Sequence, residues 1–423
     1  MMLLNHHILA KKATDSVLSK FKNGEWFCCS TYGKNFYRTG CDADFPSPDA
    51  AFADSVDNLV VSFEFKPPTE TKRGILTGLG QSIAYLQFSD LSYLVIPEMV
   101  EDYNISAHLS DIFSTIITDK IPVGLISYKN DNPEDVSLAH NIDHLLEHNV
   151  KHTGVQNSRF WAKHVDMPIP LFHLILHYTY LKKVNNDPED AFAKCWKSAM
   201  APTSNLTGLD PKPVLDVNGQ PIITVGGTKP LTYFEKTINK IKALPVVDQA
   251  AKIQEMVANA DTTVTGDNMF NSVRKNCIPF MHHVGMLDSN CQLTNEGVKM
   301  YHLGMVNGPQ SSLFRDYFTR MVLLDGHHID LIYDLERLSC QYRGKKDDNE
   351  IKAVMLDEYQ SKGMIKTNPG RIAANTKSTE LSRFLKYETI LWRGLGIMKK
   401  TTGKPSFAFD WQRITEVCNL PNL

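Results

Sequence analysis

Two carboxylates and a lysine near the start of the chain have the spacing of a site for phosphodiester chemistry. Asp49 follows Pro48, and after fourteen further residues the chain reads Glu64-Phe65-Lys66. Mg²⁺ prefers a few carboxylate oxygens and keeps its other positions for water and substrate phosphate. A lysine beside such a cation can orient or activate the attacking water. The pattern therefore predicts a hydrolytic site in which Asp49 and Glu64 bind Mg²⁺ and Lys66 positions the water.

A β-hairpin is the simplest element that brings these side chains together. Residues 49–53 and 59–65 are strand-like runs, and the second run (LVVSFEF) is rich in β-branched and aromatic residues. Residues 54–58 between them have turn composition. Successive strand residues point to opposite faces, so Glu64 and Lys66 are expected on the same face. The hairpin would thus collect the trio at one end of a sheet.

Three other aspartates compete for the position of the first carboxylate: Asp42, Asp44 and Asp57. Asp57 falls in the predicted turn, too near the far end of the hairpin, and Asp49 is favoured. The simpler alternative for Glu64 and its lysine is a surface strand with a chance ion pair. That alternative is weakened because the rest of the strand is almost entirely apolar, and a charge there is costly without a partner or a task.

A helix predicted from Thr71 to Phe88 supplies a second polar group. Gly74, Gly78, Gln81 and Tyr85 are four, three and four residues apart, so they share one helical face. Glycines on that face let a strand or a DNA backbone come close. Gln81 and Tyr85 are therefore predicted to support the site or the scissile phosphate.

Taken together, these residues resemble those of a known nuclease superfamily, PD-(D/E)xK or restriction-endonuclease-like. The residues that carry the resemblance are Asp49, Glu64-Phe65-Lys66 and Gln81-x-x-x-Tyr85. The QxxxY element is similar to that of the RecB-type branch and of some restriction enzymes. The resemblance covers roughly residues 1–130. It implies an αβββαβ core, Mg²⁺ as cofactor and hydrolysis of DNA phosphodiester bonds.

The first helix departs from the family pattern. Many relatives have an acidic residue there, and the helix predicted from Leu3 to about Phe21 offers only Asp15. Glu25, just after it, is the alternative. The resemblance thus leaves open which residue of this region joins the site.

The other elements predict an α/β region followed by mostly helical chain. Strands are expected at 91–96 and 122–128, with a helix at 107–118 between them. Asn132-Pro133-Glu134-Asp135 has the composition of a helix start. The predicted domains are a nuclease domain (1–150), a helical connector (151–230), a winged-helix-like domain (231–310) and a helical segment with a second winged-helix-like domain (311–423).

The two winged-helix-like passages each consist of two helices and a short hairpin. The first has helices near 248–260 and 267–284, and the second has helices near 350–362 and 379–393 with a basic turn at 399–404. In such folds the second helix enters the major groove of DNA and the wing touches the backbone. The side chains predicted to contact DNA are Arg274, Lys275, Arg383, Lys386, Arg393, Lys399, Lys400 and Lys404. The alternative is a module for protein contacts, with solvated lysines.

Several histidines are weaker candidates. His140, His144, His148 and His152 recur every fourth residue and would stripe one face of a helix. Neighbouring pairs of such a stripe suit a transition metal. A polar helix face is the favoured interpretation, because no cysteine or well-placed carboxylate accompanies them.

The remaining histidines fall into two kinds. His173 and His177 lie in an apolar helix and are predicted to be hydrogen-bonded core residues. The doublets at 282–283 and 327–328 are alternatives for phosphate contact.

Composition places few limits on function. The 45 basic and 47 acidic residues nearly cancel, but a local patch decides nucleic-acid binding rather than the sum. The eight cysteines show no paired CxxC spacing, which predicts reduced thiols. The N-terminus lacks the pattern of a signal peptide, and no apolar run approaches a membrane span of about 20 residues. These features predict a cytoplasmic protein without membrane contact.

The sequence as a whole predicts a Mg²⁺-dependent endonuclease, of the type II-like restriction or other defence class, acting on double-stranded DNA. Cutting both strands needs two sites, so a homodimer is expected. The phosphate-loop pattern GxxxxGK[ST] does not occur, which argues against ATP use. The alternatives are a DNA-binding regulator or scaffold with an inactive nuclease fold, and a repair nuclease acting on DNA ends or branches.

Overall fold

The computed structural model divides the chain into two compact units. Unit 1 combines Met1–Ala162, Gly326–Phe384 and Lys399–Asn419, and unit 2 combines Lys163–Asp325, Leu385–Met398 and Leu420–Leu423. The residues that the structure describes are 2–26, 35–40, 47–54, 56, 59–117, 121–142, 159–165, 167–201, 206–207, 210–225, 227–260, 269–365, 381, 384–399, 401 and 406–420. None of the helices in these ranges is both long enough and apolar enough to cross a bilayer.

The N-terminal part of unit 1 is a mixed sheet with helices, which confirms the predicted α/β class of this region. Its elements, in chain order, are α1 (Met2–Lys22), β1 (Phe36–Thr39), β2 (Ala50–Asp54), β3 (Val60–Phe65), α2 (Lys72–Ala84), β4 (Leu91–Pro97), β5 (Met99–Val100), β6 (Tyr103–Asn104), α3 (Ile105–Ile112), β7 (Val123–Lys129) and β8 (Asn132–His140). A 3₁₀ turn, Tyr85–Gln87, continues α2. The helices and strands predicted up to residue 128 are all present.

Six strands form one sheet in the order β1-β2-β3-β4-β7-β8. β1, β2 and β3 are antiparallel neighbours, β3 pairs with β4 and β4 with β7 in parallel, and β8 lies antiparallel on the edge beside β7. Parallel neighbours need a crossover connection. The chain makes these two crossovers through α2 and α3, so α2 packs on the sheet beside β3 and β4.

The amphipathic pattern of α2 fixes which of its faces meets the sheet. Thr71 caps the helix, since its hydroxyl accepts a hydrogen bond from the amide of Gly74 at 3.1 Å. Ile75 is fully buried in a cluster with Leu94 and Ile96. Burying one such aliphatic side chain stabilises the fold by about 1.5–3 kcal/mol. This packing directs the face of α2 that carries Gly78, Gln81 and Tyr85 toward β3.

The helix predicted to begin at Asn132-Pro133-Glu134-Asp135 is wrong, because these residues open the edge strand β8. The Asn132 side chain accepts a hydrogen bond from the amide of Glu134 at 3.1 Å. This local bond occurs in turns as well as at helix starts. Here it lies where β8 turns back along β7, with Lys129 paired to Asn132.

The rest of the described chain is mostly helical, as predicted. Before residue 326 the helices are α4 (Ile169–Asn185), α5 (Ala191–Cys195), α6 (Glu235–Lys242), α7 (Val246–Ala260), α8 (Met269–His283), α9 (Asn295–Asn307) and α10 (Ser312–Leu323), with a short ladder of β9 (Leu206–Thr207) and β10 (Asp210–Pro211). After it come α11 (His328–Gln341), α12 (Asp348–Ser361), α13 (Lys386–Gly394) and α14 (Trp411–Cys418).

The first winged-helix-like passage has the predicted two helices, α7 and α8, and a tight turn. Asp288 donates its amide to the carbonyl of Gln292 at 2.8 Å, and Leu287 bridges to Leu293. The returning segment is short, since Thr294 already caps α9. In the second passage α12 and α13 are present, and the Lys399 amide bonds the Ala408 carbonyl at 2.8 Å.

A buried ionic cluster joins α1 and β1 to α11 within unit 1. Arg38, only 2% exposed, donates to Asp15 at 2.9 Å and to Asp330 at 3.4 Å. Lys11 lies 3.0 Å from Asp334 and also bonds Asp15. Burial opposes ionisation of Asp330, but the hydrogen bond from His327 and the charges of Arg38, His327 and Lys11 lower its pKa to about 2. The cluster therefore fixes how α11 sits on the helix that begins the chain.

Arg38→Met is expected to destabilise the protein by about 3–5 kcal/mol, because it removes the guanidinium partner of the buried Asp330 carboxylate. Urea unfolding at neutral pH measures this loss. Lys20→Met is the matched control, since the Lys20–Glu25 pair is about 40% exposed on both sides and is worth under about 1 kcal/mol. Equal, small losses in the two variants would contradict a structural role for the cluster.

Candidate active site

The β2–β3 hairpin places Asp49 and Glu64 side by side. Ala50 pairs with Phe63, so the next residues outward on the two strands are Asp49 and Glu64. The Asp49 amide donates to the Phe63 carbonyl at 3.0 Å, and one Asp49 carboxylate oxygen accepts from the Phe65 amide at 2.7 Å. Opposite residues of an antiparallel pair have their side chains on the same face. The two carboxylates thus share one end of the sheet.

Lys66 joins them because it lies two residues after Glu64 on the same strand face. Its Nζ is 2.8 Å from Glu64 Oε1, and the two side chains are 12% and 5% exposed. The backbone of Lys66 is held on both sides, by a bond from its amide to Val95 and by one from the Tyr128 hydroxyl to its carbonyl at 2.7 Å. The lysine is therefore fixed at the rim of a nearly buried carboxylate.

The 81–85 face of α2 contacts the same group. Gln81 Oε1 accepts a hydrogen bond from Lys66 Nζ at 3.0 Å, and the Tyr85 hydroxyl bonds Glu64 Oε2 and lies 3.1 Å from the Ser47 carbonyl oxygen. All five residues predicted for the site therefore lie together. Gln81 holds the lysine, and Tyr85 holds the glutamate.

Gly78 provides the space for the lysine stem. A Cβ on this residue would lie 2.5 Å from Lys66 Cε and 3.0 Å from Leu94 Cδ1. Gly80, on the same helix, has no neighbouring heavy atom within 4 Å of that position. The glycine expected to permit a close approach thus admits a side chain of the sheet.

The two carboxylates have opposite electrostatic properties. Burial, followed by the charge of Asp49, raises the pKa of Glu64 to about 7 despite its bonds to Lys66 and Tyr85. Burial also opposes ionisation of Asp49, but the charge and hydrogen bond of His6 and the amide of Phe65 lower its pKa below the usual value. One group is therefore fully ionised at neutral pH, and the other is poised to gain or lose a proton.

His6 is the site residue that the sequence reasoning missed. It projects from α1, and its Nε2 donates to Asp49 Oδ1 at 3.0 Å. Burial lowers the pKa of His6, but the charge and hydrogen bond of Asp49, with the charge of Glu64, raise it above its usual value. The family pattern predicts an acidic residue in the first helix, although imidazole is also a common metal ligand. An imidazole on the predicted helix was the available signal.

The acidic alternatives in the first helix do not join the site. Asp15 belongs to the ionic cluster with Lys11 and Arg38, and Glu25 pairs with Lys20 on the surface. Asp42, Asp44 and Asp57, the competitors of Asp49, lie outside the described residues.

The donor set suits Mg²⁺, although the described residues contain no group of three or more His, Cys, Asp or Glu side chains arranged around one point. Mg²⁺ needs only one or two carboxylates, because waters and substrate phosphate complete its shell. The charge of Asp49 helps to raise the pKa of Glu64, because two ionised carboxylates repel each other. A divalent cation bound between them would relieve this repulsion. Asp49 and Glu64 are the residues that would hold the cation.

The histidine candidates are mostly structural. The predicted helical stripe is wrong at His140, which ends strand β8, and His144, His148 and His152 lie outside the described residues. His173 is a core residue, as predicted, and its Nε2 bonds the Tyr301 carbonyl at 3.0 Å.

Histidines of both doublets make protein contacts. His328 is fully buried and bonds the Ala162 carbonyl at 2.7 Å, so phosphate contact by this side chain is excluded. His283 is also buried. His282 lies 3.5 Å from the Cys291 sulfur, and His327 lies 3.5 Å from Asp330.

The basic residues of the winged-helix-like passages lie in several environments. Lys275, Lys386 and Arg393 are exposed. Arg274 lies 3.8 Å from Asp190, and Lys399 lies 3.6 Å from Asp410. The remaining three, Arg383, Lys400 and Lys404, lie outside the described residues. DNA contact by these side chains stays a prediction.

Comparison with known proteins adds no constraint on this site. No protein-family model matches the chain, and the comparison with curated proteins found no match. The case for a function therefore rests on the residues and their geometry.

Proposed function

We propose that this protein is a Mg²⁺-dependent endodeoxyribonuclease of the PD-(D/E)xK type, most simply a sequence-specific restriction or defence enzyme. The observation that carries the proposal is the meeting of Asp49, Glu64 and Lys66 with Gln81 and Tyr85 at one end of the sheet. Three elements, β2, β3 and α2, bring these side chains to one point. The element order from α1 to β4 (helix, three strands, helix, strand) is also that of the αβββαβ core.

Each residue has a role that follows from its contacts. Asp49 and Glu64 would bind the cation, and Tyr85 fixes the Glu64 carboxylate through its second oxygen. Gln81 accepts a hydrogen bond from Lys66 and so holds the ammonium group beside the carboxylates. In that position the ammonium group can orient an attacking water. When bound, Mg²⁺ would supply charge stabilisation for the phosphate oxygens and acidify the water. His6 holds Asp49 ionised and oriented.

The proposal extends to the partners expected from the sequence. Double-stranded DNA is the proposed substrate, and a homodimer is proposed because each chain contributes one site and two strands must be cut. The basic residues in the winged-helix-like passages are proposed to grip or read the duplex. No role is assigned to ATP.

Gel patterns from a panel of DNAs test the function. Long methylated and unmethylated duplexes, circles and branched DNAs are incubated with the protein, with Mg²⁺ or with EDTA. Discrete Mg²⁺-dependent bands are expected of a restriction enzyme. Progressive shortening from the DNA ends would instead indicate a repair nuclease. Intact DNA with a shifted gel mobility in every condition would indicate a DNA-binding protein with an inactive nuclease fold.

His6→Ala is expected to weaken divalent-cation binding by about 10–100-fold, because partners that orient a metal ligand typically contribute that much. Isothermal calorimetry with Mn²⁺ measures the change. His108→Ala is the control, since His108 is an exposed histidine on α3. Unchanged affinity in the His6 variant would show that Asp49 needs no support from α1.

A further inference from the structure

A basic loop follows α11 in unit 1, and no role for it was predicted from the sequence. Three cations occur within four residues: Arg343, Lys345 and Lys346. Arg343 and Lys345 are exposed, and Lys346 is half-buried with its Nζ 5.4 Å from the centre of the Tyr342 ring. We call residues 343–346 the basic loop.

The carboxylates next to the basic loop are committed to other partners. Asp347 caps α12 by accepting from the amides of Asn349 and Glu350, each at 2.9 Å, and Glu350 bonds back to the Asp347 amide. Asp348 accepts from the Ser406 amide at 2.6 Å. Within the part of the chain that the structure describes, no carboxylate forms an ion pair with the three loop cations. The loop therefore carries three cations without ion-pair partners among the described residues, beside carboxylates that are still charged but are bonded to backbone amides.

The backbone of the basic loop is already ordered. The amides of Lys345 and Lys346 donate to the Tyr342 carbonyl at 2.9 and 3.2 Å, and Gly344 adopts a left-handed φ of +71°. A residue with a side chain would be strained there, so the glycine permits the tight turn. Binding of a ligand by these cations would thus cost little backbone entropy.

The chemistry of the loop fits phosphate oxygens of nucleic acid better than a lipid surface. Guanidinium and ammonium groups both bind phosphate, and the contacts are independent of base sequence. Peripheral membrane binding by a basic segment normally adds apolar side chains that enter the bilayer. No large apolar side chain is exposed in the described segment from 326 to 365.

The helix α11 precedes the basic loop and packs against the elements that hold the active site. Asp330 and Asp334 hold α11 against α1 and β1, and α1 carries His6 to Asp49. The fourteen residues of α11 span about 20 Å at 1.5 Å per residue.

We infer that the basic loop binds backbone phosphates of the DNA duplex on which the nuclease site acts. This inference rests on the proposed nuclease function for its substrate. It adds a contact in unit 1, besides the predicted contacts of the winged-helix-like passages. The loop would position the duplex along the nuclease unit and would not read its sequence.

The salt dependence of DNA affinity tests the inference. Affinity for a long duplex is measured with Ca²⁺ between low and moderate salt for wild type and for the triple variant Arg343→Gln, Lys345→Gln, Lys346→Gln. Each lost phosphate contact makes the negative slope of log K against log salt shallower by about 0.9. The triple variant is expected to lose about 2–3 from the slope and to keep its thermal melting temperature.

A second triple variant controls for net charge. Lys129→Gln, Lys197→Gln and Lys252→Gln remove three exposed lysines that each pair with a glutamate, so the slope should stay within about 1 of wild type. Wild-type DNA binding with equal slopes in both triple variants would overturn the loop inference and leave the nuclease proposal standing. Wild type that binds no DNA would overturn both. Loop-dependent binding to phosphatidylserine vesicles without any change in DNA binding would assign the loop to membranes instead.

Discussion

Glu64→Gln is expected to lower Mg²⁺-dependent DNA cleavage by about a thousandfold or more. The amide keeps the shape of the side chain but cannot supply the anionic ligand, and cation-assisted charge stabilisation is worth several kcal/mol, at about tenfold in rate for each 1.4 kcal/mol. Single-turnover cleavage of a DNA that wild type cuts measures the loss. DNA affinity in Ca²⁺ should change little, so a parallel loss of binding would indicate misfolding.

The same variant is expected to be more stable than wild type at pH 8 when no divalent cation is present. The pKa of Glu64 is raised from 4.5 to about 7, so the native state holds this proton more tightly than the unfolded chain. Wild-type stability therefore falls as pH rises through that window, by up to about 3 kcal/mol. The glutamine variant avoids this loss, and its advantage should vanish below about pH 4.5.

Urea unfolding in EDTA at several pH values measures the difference. Glu134→Gln is the control, because Glu134 is an exposed glutamate on β8 of the same sheet and should change stability by under about 0.5 kcal/mol at every pH. A Glu64→Gln variant that is less stable than wild type at pH 8 would show that the ionised Glu64 carboxylate stabilises the native state. The account of its raised pKa would then be wrong.

Gly78→Ala is expected to reduce cleavage by about a hundredfold while the protein stays folded. The added methyl group would lie 2.5 Å from Lys66 Cε, so the lysine must move away from Glu64 and Gln81. Misplacing a reacting group by about 1 Å can cost a factor of about 100 in rate. Single-turnover cleavage measures the effect, and a thermal melt checks the fold.

Gly80→Ala is the matched control on the same helix. Its added methyl group meets no atom within 4 Å, so the substitution should leave cleavage unchanged. It should also stabilise the helix by about 1 kcal/mol, since alanine is the better helix former. Full activity in the Gly78 variant would mean that the position of Lys66 is unimportant for catalysis.

The local geometry of the site was predictable from the sequence because short-range rules determine it. Strand alternation placed Glu64 and Lys66 on one face, and the turn between two apolar runs specified the hairpin that aligns Asp49. Helical spacing placed Gln81 and Tyr85 together. The raised pKa of Glu64 was not predictable, since it depends on burial by the tertiary fold.

The failure at residues 132–135 shows where such rules are ambiguous. An asparagine side chain that bonds an amide two residues on begins a turn or a helix equally well. Pairing with β7 decides the outcome here, and an edge strand tolerates Pro133 because its missing amide costs no ladder bond on the open side. No pattern within the segment itself reports that pairing.

The long-range contacts of α1 and β1 could not be predicted from the sequence either. His6 reaches Asp49 across 43 positions, and Arg38 reaches Asp330 across 292. Contacts at such separations follow from how the elements pack, which a single sequence does not reveal. The helix itself was predicted from its apolar spacing, but its partners could not be.

The central claim is that Asp49 and Glu64 form a divalent-cation site, and metal binding tests it most directly. A restriction enzyme cuts only DNA that contains its recognition site, whereas cation binding requires no substrate. Calorimetric titration of the protein with Mn²⁺, in buffers of different ionisation enthalpy, gives both the affinity and the number of protons released.

Wild type is expected to bind Mn²⁺ and to release close to one proton per ion near pH 6 but few at pH 8.5, because the pKa of Glu64 is about 7 and the ligand must be ionised. Asp49→Asn and Glu64→Gln are each expected to abolish this binding. Absence of binding in wild type, or wild-type affinity in either variant, would contradict the account.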